Sequence, residues 1–378
     1  MKENIAIIGA GIGGLTTALT LKQKGFQTTI YESAPVIKPV GAGIMMANNA
    51  MQVFQKLGIH QKIESAGNKI TIIRITDERL NIISEVALDR FENKFGANNI
   101  AIHRGSLQRI LAEEVGFENI HLSKRLTKVE LHNSIDLTFD DESKVNCPTL
   151  IGADGINSTV RNQLFNPTEI RDTKQLCWRG TCEVELPIDL QHTAIEAWGR
   201  GSRFGFLRID DRRTYWYGVI NESLAAQNTS NLFDLFKSYH SYIPQIIAAT
   251  DDRDIFMSRL TDLKPISKWH IHNVCLIGDA AHATTPNLGQ GACQAVEDAY
   301  ALGQCIHSDA SIEKDFEAFT QLRRKKAHFI VNRSRLMGRV SQLENGFAIL
   351  LRNSFLKVVP KKVNLRQLEK IFNLDYLS

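Results

Sequence analysis

The chain has 378 residues, 43% hydrophobic and 23% charged, with 45 basic against 41 acidic residues and a formal net charge of +4. This length suits two lobes around a large core, and the mild basic excess makes no case for nucleic acid, which would want basic residues gathered on one face. Six cysteines without a CxxC pair or zinc-like cluster, a start without signal-peptide shape and no apolar run of membrane-spanning length point to a cytoplasmic protein with reduced thiols, no metal and no integral membrane segment.

Residues 4–8 read as a buried parallel strand, 9–14 as a tight turn, 15–24 as a helix stopped at Gly25, and 27–31 as a second strand closed by Glu32. This is a βαβ unit. Its turn, Gly9-Ala10-Gly11-Ile12-Gly13-Gly14, matches GxGxxG. The first glycine makes the bend, the second lets backbone approach a pyrophosphate, and the third lets helix and strand pack closely. The helix start then offers free N–H groups to phosphates. Glu32 stands where an acid binds ribose hydroxyls and repels a 2′-phosphate, so the site suits FAD or NAD rather than NADP.

Further along, 48–57 reads as a helix capped by Asn48, 70–76 and 81–88 as a hairpin, and 106–115 as another helix. Residues 149–153 form a strand leading into the turn Asp154-Gly155, with a helix after it. From 176 to 221 the pattern is alternating and aromatic-rich, as in an antiparallel sheet. Cys177 and Cys182 lie five apart on a strand, so they face opposite ways and do not form a redox pair. Trp198-Gly199-Arg200-Gly201 is embedded in this sheet-like stretch and is not a second dinucleotide turn. Residues 231–249 read as helical.

Near Asn273 the α/β texture returns. Cys275-Leu276-Ile277-Gly278-Asp279 is again a strand running into a turn that carries a carboxylate. Such carboxylates can accept hydrogen bonds from a polyol. NAD has no ribityl chain and FAD does, which explains a second glycine-rich turn so late in the chain. Pro286-Asn287-Leu288-Gly289-Gln290-Gly291 then opens a helix over 292–306, setting bare N–H groups and the helix dipole beside the flavin edge that becomes anionic on reduction.

Three motifs in order, GxGxxG with Glu32, DGxxSxxR from Asp154 to Arg161, and GDAAHxxxPxxGQG from Gly278 to Gly291, resemble the class A FAD-dependent aromatic hydroxylases, the flavoprotein monooxygenases that include p-hydroxybenzoate, salicylate and urate hydroxylases. The resemblance spans nearly the whole chain. It implies an α/β fold with a Rossmann-like FAD-binding domain of the GR2 type, an inserted antiparallel-sheet substrate domain and C-terminal helices. The expected division is 1–72, 100–170 and 265–335 for FAD, 73–99 and 171–264 for substrate, and 336–378 for the closing helices. Carried over, Asp279 binds the ribityl chain, Asp154 with Arg161 serves FAD and NAD(P)H, and Arg104 lies near the flavin phosphates. Gly43, Ile44, Ser33, Leu126, Pro286, Gly289, Gln290, Gly291 and Ala292 complete the cofactor set. His282 is structural on this resemblance.

The resemblance implies that NADH or NADPH reduces the flavin and that O2 forms a C4a-hydroperoxide, which hydroxylates a small aromatic or heteroaromatic substrate. Alternatives are the same chemistry on a larger alicyclic, polyketide-like or antibiotic molecule, an epoxidation, or a flavin dehydrogenase. In the inserted sheet, alternation puts Arg203 and Gly205 on one face and Phe204 and Phe206 on the other, with Tyr215 and Tyr217 opposite Trp216. Urate hydroxylases have a similar strand pair with an arginine resembling Arg203 near the substrate, and this resemblance makes Arg203 the candidate anchor for an anionic substrate and Tyr217 a hydrogen-bond partner for it. Asn287 stands where urate hydroxylases carry an aspartate, which weighs against urate itself. The tail, 345–377, mixes apolar and basic residues. Its apolar side is expected to pack on the flavin domain, with a membrane-surface helix as the alternative. A monomer or a homodimer is expected.

Overall fold

A computed structural model describes residues 4–37, 42–227, 231–307 and 311–377. The apolar strand Asn4–Ile8 lies inside a six-stranded sheet ordered His270–Ile271, Val274–Leu276, Thr149–Gly152, Asn4–Ile8, Gln27–Tyr31, Ile120–His121. All pairs are parallel except the edge pair of His270–Ile271 with Val274–Leu276. The strands come from distant parts of the chain, so the turns at Gly9, Asp154 and Asp279 all leave the same end of one sheet. The helix Ile12–Gln23 begins inside the glycine run, earlier than its apolar spacing suggests. It packs on the helices Gly291–Cys305 and Arg104–Val115.

Two glycines make this start possible. Gly9 has φ +103°, and a Cβ there would stand 2.6 Å from the Ala153 carbonyl oxygen. A Cβ on Gly14 would stand 2.0 Å from the Gly9 carbonyl oxygen.

The second large sheet has seven strands, ordered Phe256–Leu263, Ile170–Cys182, Thr214–Asn221, Ser202–Arg208, Thr193–Trp198, Ile72–Asp77, Ile82–Ala87. One pair, Thr193–Trp198 with Ile72–Asp77, is parallel; the rest are antiparallel. Phe204, Phe206 and Trp216 enter one core with Phe236, Ile243 and Ile246. Arg203, Tyr215 and Tyr217 face the other way, into a cavity. The 30-residue helix Ile312–Ser341, about 45 Å long at 1.5 Å per residue, joins the two sheets. His270 meets Thr320 near its start, and Arg203 donates to Ser341 at its end.

Three local expectations need correction. Asn48 does not cap its helix, Asn48–Lys56, which follows Ala47. Its buried amide instead donates to the Ala97 carbonyl, tying the helix to the chain before the strand Ile100–His103. Residues 231–249 form two helices, Leu232–Phe236 and Tyr242–Ala248, because the His240 N–H leaves the helical pattern for the Glu78 carbonyl. The tail forms Gly346–Val358 and Lys361–Phe372, which pack against Ile82–Ala87. The apolar side of the first was expected to pack inward, but Phe347, Leu350, Leu351, Phe355 and Val358 face outward.

Candidate active site

A cavity of about 1060 Å³ is lined from both large sheets. Every predicted site residue except Gly14 and Arg161 lines it: Gly9, Gly11, Gly13, Glu32, Ser33, Gly43, Ile44, Arg104, Leu126, Asp154, Asp279, Pro286, Gly289, Gln290, Gly291, Ala292, Arg203 and Tyr217. Gly14 sits behind the turn against Gly9.

The dinucleotide side is built mainly from backbone. The helices Ile12–Gln23 and Gly291–Cys305 both start at the cavity with no capping side chain and no acid in the first turn, so their first N–H groups remain available to an anion. Glu32 braces the turn by accepting the N–H groups of Ala10 at 2.7 Å and Ala34 at 2.8 Å. A carboxylate has about four acceptor positions, so it can also take ribose hydroxyls. Arg104 opens its helix, reaches the cavity, and has no carboxylate ion-pair partner among the described residues.

Asp154 accepts the Val160 N–H at 3.1 Å through Oδ2, while Oδ1 is buried without a partner. Burial lifts its carboxyl above the usual range, against the hydrogen bonds from Ser158 and Val160. Asp279 is open to the cavity yet ringed by protein. That surrounding protein also raises its carboxyl, with His282 and Arg104 pulling the other way. An orphaned acceptor, a second acid, an arginine and two uncapped helix starts are a donor and acceptor set that fits FAD.

Arg161 lies outside this set. It is fully buried, and its Nη1 donates to the Ala280 carbonyl at 2.9 Å and its Nη2 to the Ile156 carbonyl at 2.6 Å. It fastens the Asp154 turn to the Asp279 turn and does not line the cavity. The Arg161 side chain, expected with Asp154 to serve FAD and NAD(P)H, thus stands behind the cavity wall.

On the sheet side, Arg203 is nearly inaccessible, yet it is not a free charge. Its Nε is 3.4 Å from Glu196 Oε1, an ion pair without a hydrogen bond, and its terminal nitrogens donate to Ser341 and Asn287. Glu196 also accepts Trp198 Nε1 at 2.7 Å and the Tyr217 hydroxyl. Burial, then the neighbouring Glu196 carboxylate, push the Tyr217 phenol well above its ordinary value. It stays a neutral donor. The Tyr217 ring lies over Gly205, where a Cβ would come within 2.2 Å of it. Glu196 and Trp198 were missed in the sequence; the signal was a lone acid in the apolar strand Thr193–Trp198, in register with Gly205.

A second network is sealed from the cavity. His282 Nε2 pairs with Asp298 at 2.5 Å, Asp298 accepts the Gly278 N–H at 2.9 Å, and Arg323 bridges Asp298 and Glu297 at 2.8 and 2.7 Å. Burial opposes both carboxylates, but Lys326 and Arg323 around Glu297, and His282 and Arg323 around Asp298, bring each below the ordinary range. His282 thus holds the Gly278 turn on the helix Gly291–Cys305. Cys177 lines the cavity and Cys182 enters the opposite core, as their spacing requires.

The FAD binding domain family model matches residues 2–311. The chain belongs to this family. It is similar to the aurachin C monooxygenase/isomerase of Stigmatella aurantiaca, 34% identical over 94% of each chain. It is 28% identical, over 97% of each, to the 2-heptyl-3-hydroxy-4(1H)-quinolone synthase of Pseudomonas aeruginosa. In fold it resembles Klebsiella pneumoniae HpxO complexed with FAD and uric acid, with a TM-score of 0.87 at 24% identity over 98% of this chain and 96% of that one. The protein is an FAD-dependent monooxygenase that uses NAD(P)H and O2.

Proposed function

We propose that this monooxygenase hydroxylates a neutral heteroaromatic bearing an apolar substituent, held by Glu196 and Tyr217 rather than anchored on Arg203. The observation that carries the reading is the pairing of Arg203 with Glu196. A buried charge already matched has little left to offer a substrate carboxylate. Glu196 is partly open to the cavity and keeps acceptor capacity for a ring N–H.

FAD, when bound, supplies the redox chemistry that transfers one oxygen atom from O2 at the cost of NAD(P)H. Asp279 and Asp154 would hold its ribityl chain, Glu32 its ribose, and Arg104 with the two helix starts its phosphates. Tyr217 donates to Glu196 and keeps that carboxylate aimed into the cavity. Ile73, Ile75, Val86, Leu356 and Leu368 supply apolar wall, which excludes water and accepts a hydrocarbon substituent. The name of the quinolone-synthase relative describes an alkylated heteroaromatic product of this kind. Six free cysteines support a cytoplasmic placement.

The test is NAD(P)H oxidation in air, with peroxide counted separately, for 2-alkyl-4-quinolones, salicylate and urate. Tight coupling with the alkylquinolone and poor coupling with the two acids is expected; the reverse order overturns the reading. A second reading, an anionic aromatic, is favoured by Arg179. This arginine lines the cavity, donates to Ser258 Oγ at 3.0 Å, and has no carboxylate partner among the described residues. Under it, Arg179→Gln raises the KM for an acid and leaves that of a neutral ring unchanged.

A further inference from the structure

The helix Gly346–Val358 has two unlike faces. Phe347, Leu350, Leu351, Phe355 and Val358 follow a three-and-four spacing and are each between 54% and 74% exposed. On the opposite side Arg352 is buried, donating to the carbonyls of Val340 and Ser341 and lying 5.0 Å from the Trp198 ring centre. Leu356, on that same inner side, lines the cavity, as do Leu368 and Ile371 of the next helix. The outward stripe is therefore fixed by the packing of the inner face. A row of large apolar side chains held toward water marks an interaction surface.

Charge says what covers it. Between Gly346 and Phe372, besides the inward-facing Arg352, there are five basic residues, Lys357, Lys361, Lys362, Arg366 and Lys370, and one acid, Glu369. Without Arg352 the segment still carries a net positive charge equal to the whole chain's +4. Lys357 borders the apolar stripe. An apolar stripe with basic flanks is the composition of a helix lying in the plane of an anionic lipid surface. Self-association through the stripe would bring two such basic segments together, which is unfavourable.

We propose that these two C-terminal helices dock on an anionic phospholipid surface, with Phe347, Leu350, Leu351, Phe355 and Val358 at the acyl boundary. The wall residue Leu356 lies on the inner side of the same helix, so the proposal extends to delivery of a lipophilic substrate from lipid to the cavity beside it. The delivery step rests on the function proposed above; the docking does not. No helix among the described residues is long and apolar enough to cross a membrane, and none is needed.

The test uses the full-length FAD-loaded enzyme and sedimentation with vesicles of phosphatidylcholine alone or mixed with phosphatidylglycerol, without substrate. Binding at least about tenfold tighter to the mixed vesicles, weakening with salt, is expected. The triple variant Leu350→Ser, Leu351→Ser, Phe355→Ser should lose about tenfold in that binding while retaining flavin and its thermal unfolding temperature. Equal binding by the triple variant, or none by the unsubstituted enzyme, overturns the docking. Vesicle-inert protein that is dimeric, and that the triple variant renders monomeric, assigns the stripe to a second copy instead. Docking without turnover of vesicle-borne alkylquinolone leaves the surface in place and refutes the substrate reading.

Discussion

Replacing Glu196 with Gln tests the sheet side of the site most sharply. At the observed 3.4 Å, the Coulomb attraction to Arg203 is about 5 kcal/mol at an effective dielectric of about 20. Glu196 is partly open to the cavity, and the hydrogen bonds of Arg203 to Ser341 and Asn287 survive the change. The net loss is then about 2–3 kcal/mol. With about 2.1 cal/mol/K of unfolding entropy per residue, a chain of this length loses about 3–4 °C in Tm for that change. Thermal unfolding followed by flavin fluorescence reads this directly. Uncovering Arg203 also reverses substrate preference: the KM for alkylquinolone rises and the KM for salicylate falls, each by about tenfold or about 1.4 kcal/mol. A double-mutant cycle with Arg203→Met should give a coupling of about 2 kcal/mol; less than about 0.5 kcal/mol would refute the pairing.

Gly14→Ala forces a Cβ to 2.0 Å from the Gly9 carbonyl oxygen, so the purified protein should hold well under the normal flavin absorbance per chain. Full flavin content would show that the turn can relax. Arg323→Met leaves Glu297 with Lys326 alone and Asp298 with His282 alone in the core, costing about 3 kcal/mol and about 4 °C in Tm; an unchanged Tm contradicts the network. The Asp298 carboxyl lies below its unfolded value of about 3.9. Its contribution to stability is therefore full above that pH and is lost as pH falls toward the folded value, by up to about 1.4 kcal/mol per pH unit. Asp298→Asn should flatten the acid limb of stability against pH, and an unaltered limb counts against the assignment. The Tyr217 phenol is raised far above its ordinary value, so no limb of the kcat/KM profile up to about pH 10 should disappear in Tyr217→Phe.

The parallel sheet and its turns were legible because each carries local chemistry: apolar strands, positive-φ glycines and a carboxylate at a fixed offset. The faces of the second sheet were legible too, since a period of two sorts Arg203 from Phe204 without knowledge of the fold. What stayed hidden depends on residues far apart in sequence. Arg161 sits in a motif and looks functional, but its partners are carbonyls at 156 and 280. Arg203 reads as a free cation until Glu196, Asn287 and Ser341 are brought to it. Glu297, Asp298 and Arg323 look like ordinary helix charges, and only the packing of two helices turns them inward. The direction of the tail's apolar face is set by Arg352 docking on Trp198, which no period in the tail encodes.

The most direct measurement is product analysis after turnover with isotopically labelled dioxygen, using an alkyl-4-quinolone and NAD(P)H. A hydroxylated ring carrying one labelled oxygen is expected, with NAD(P)H consumed in equal amount and little peroxide. Unaltered quinolone with stoichiometric peroxide, or product whose added oxygen comes from water, would contradict it.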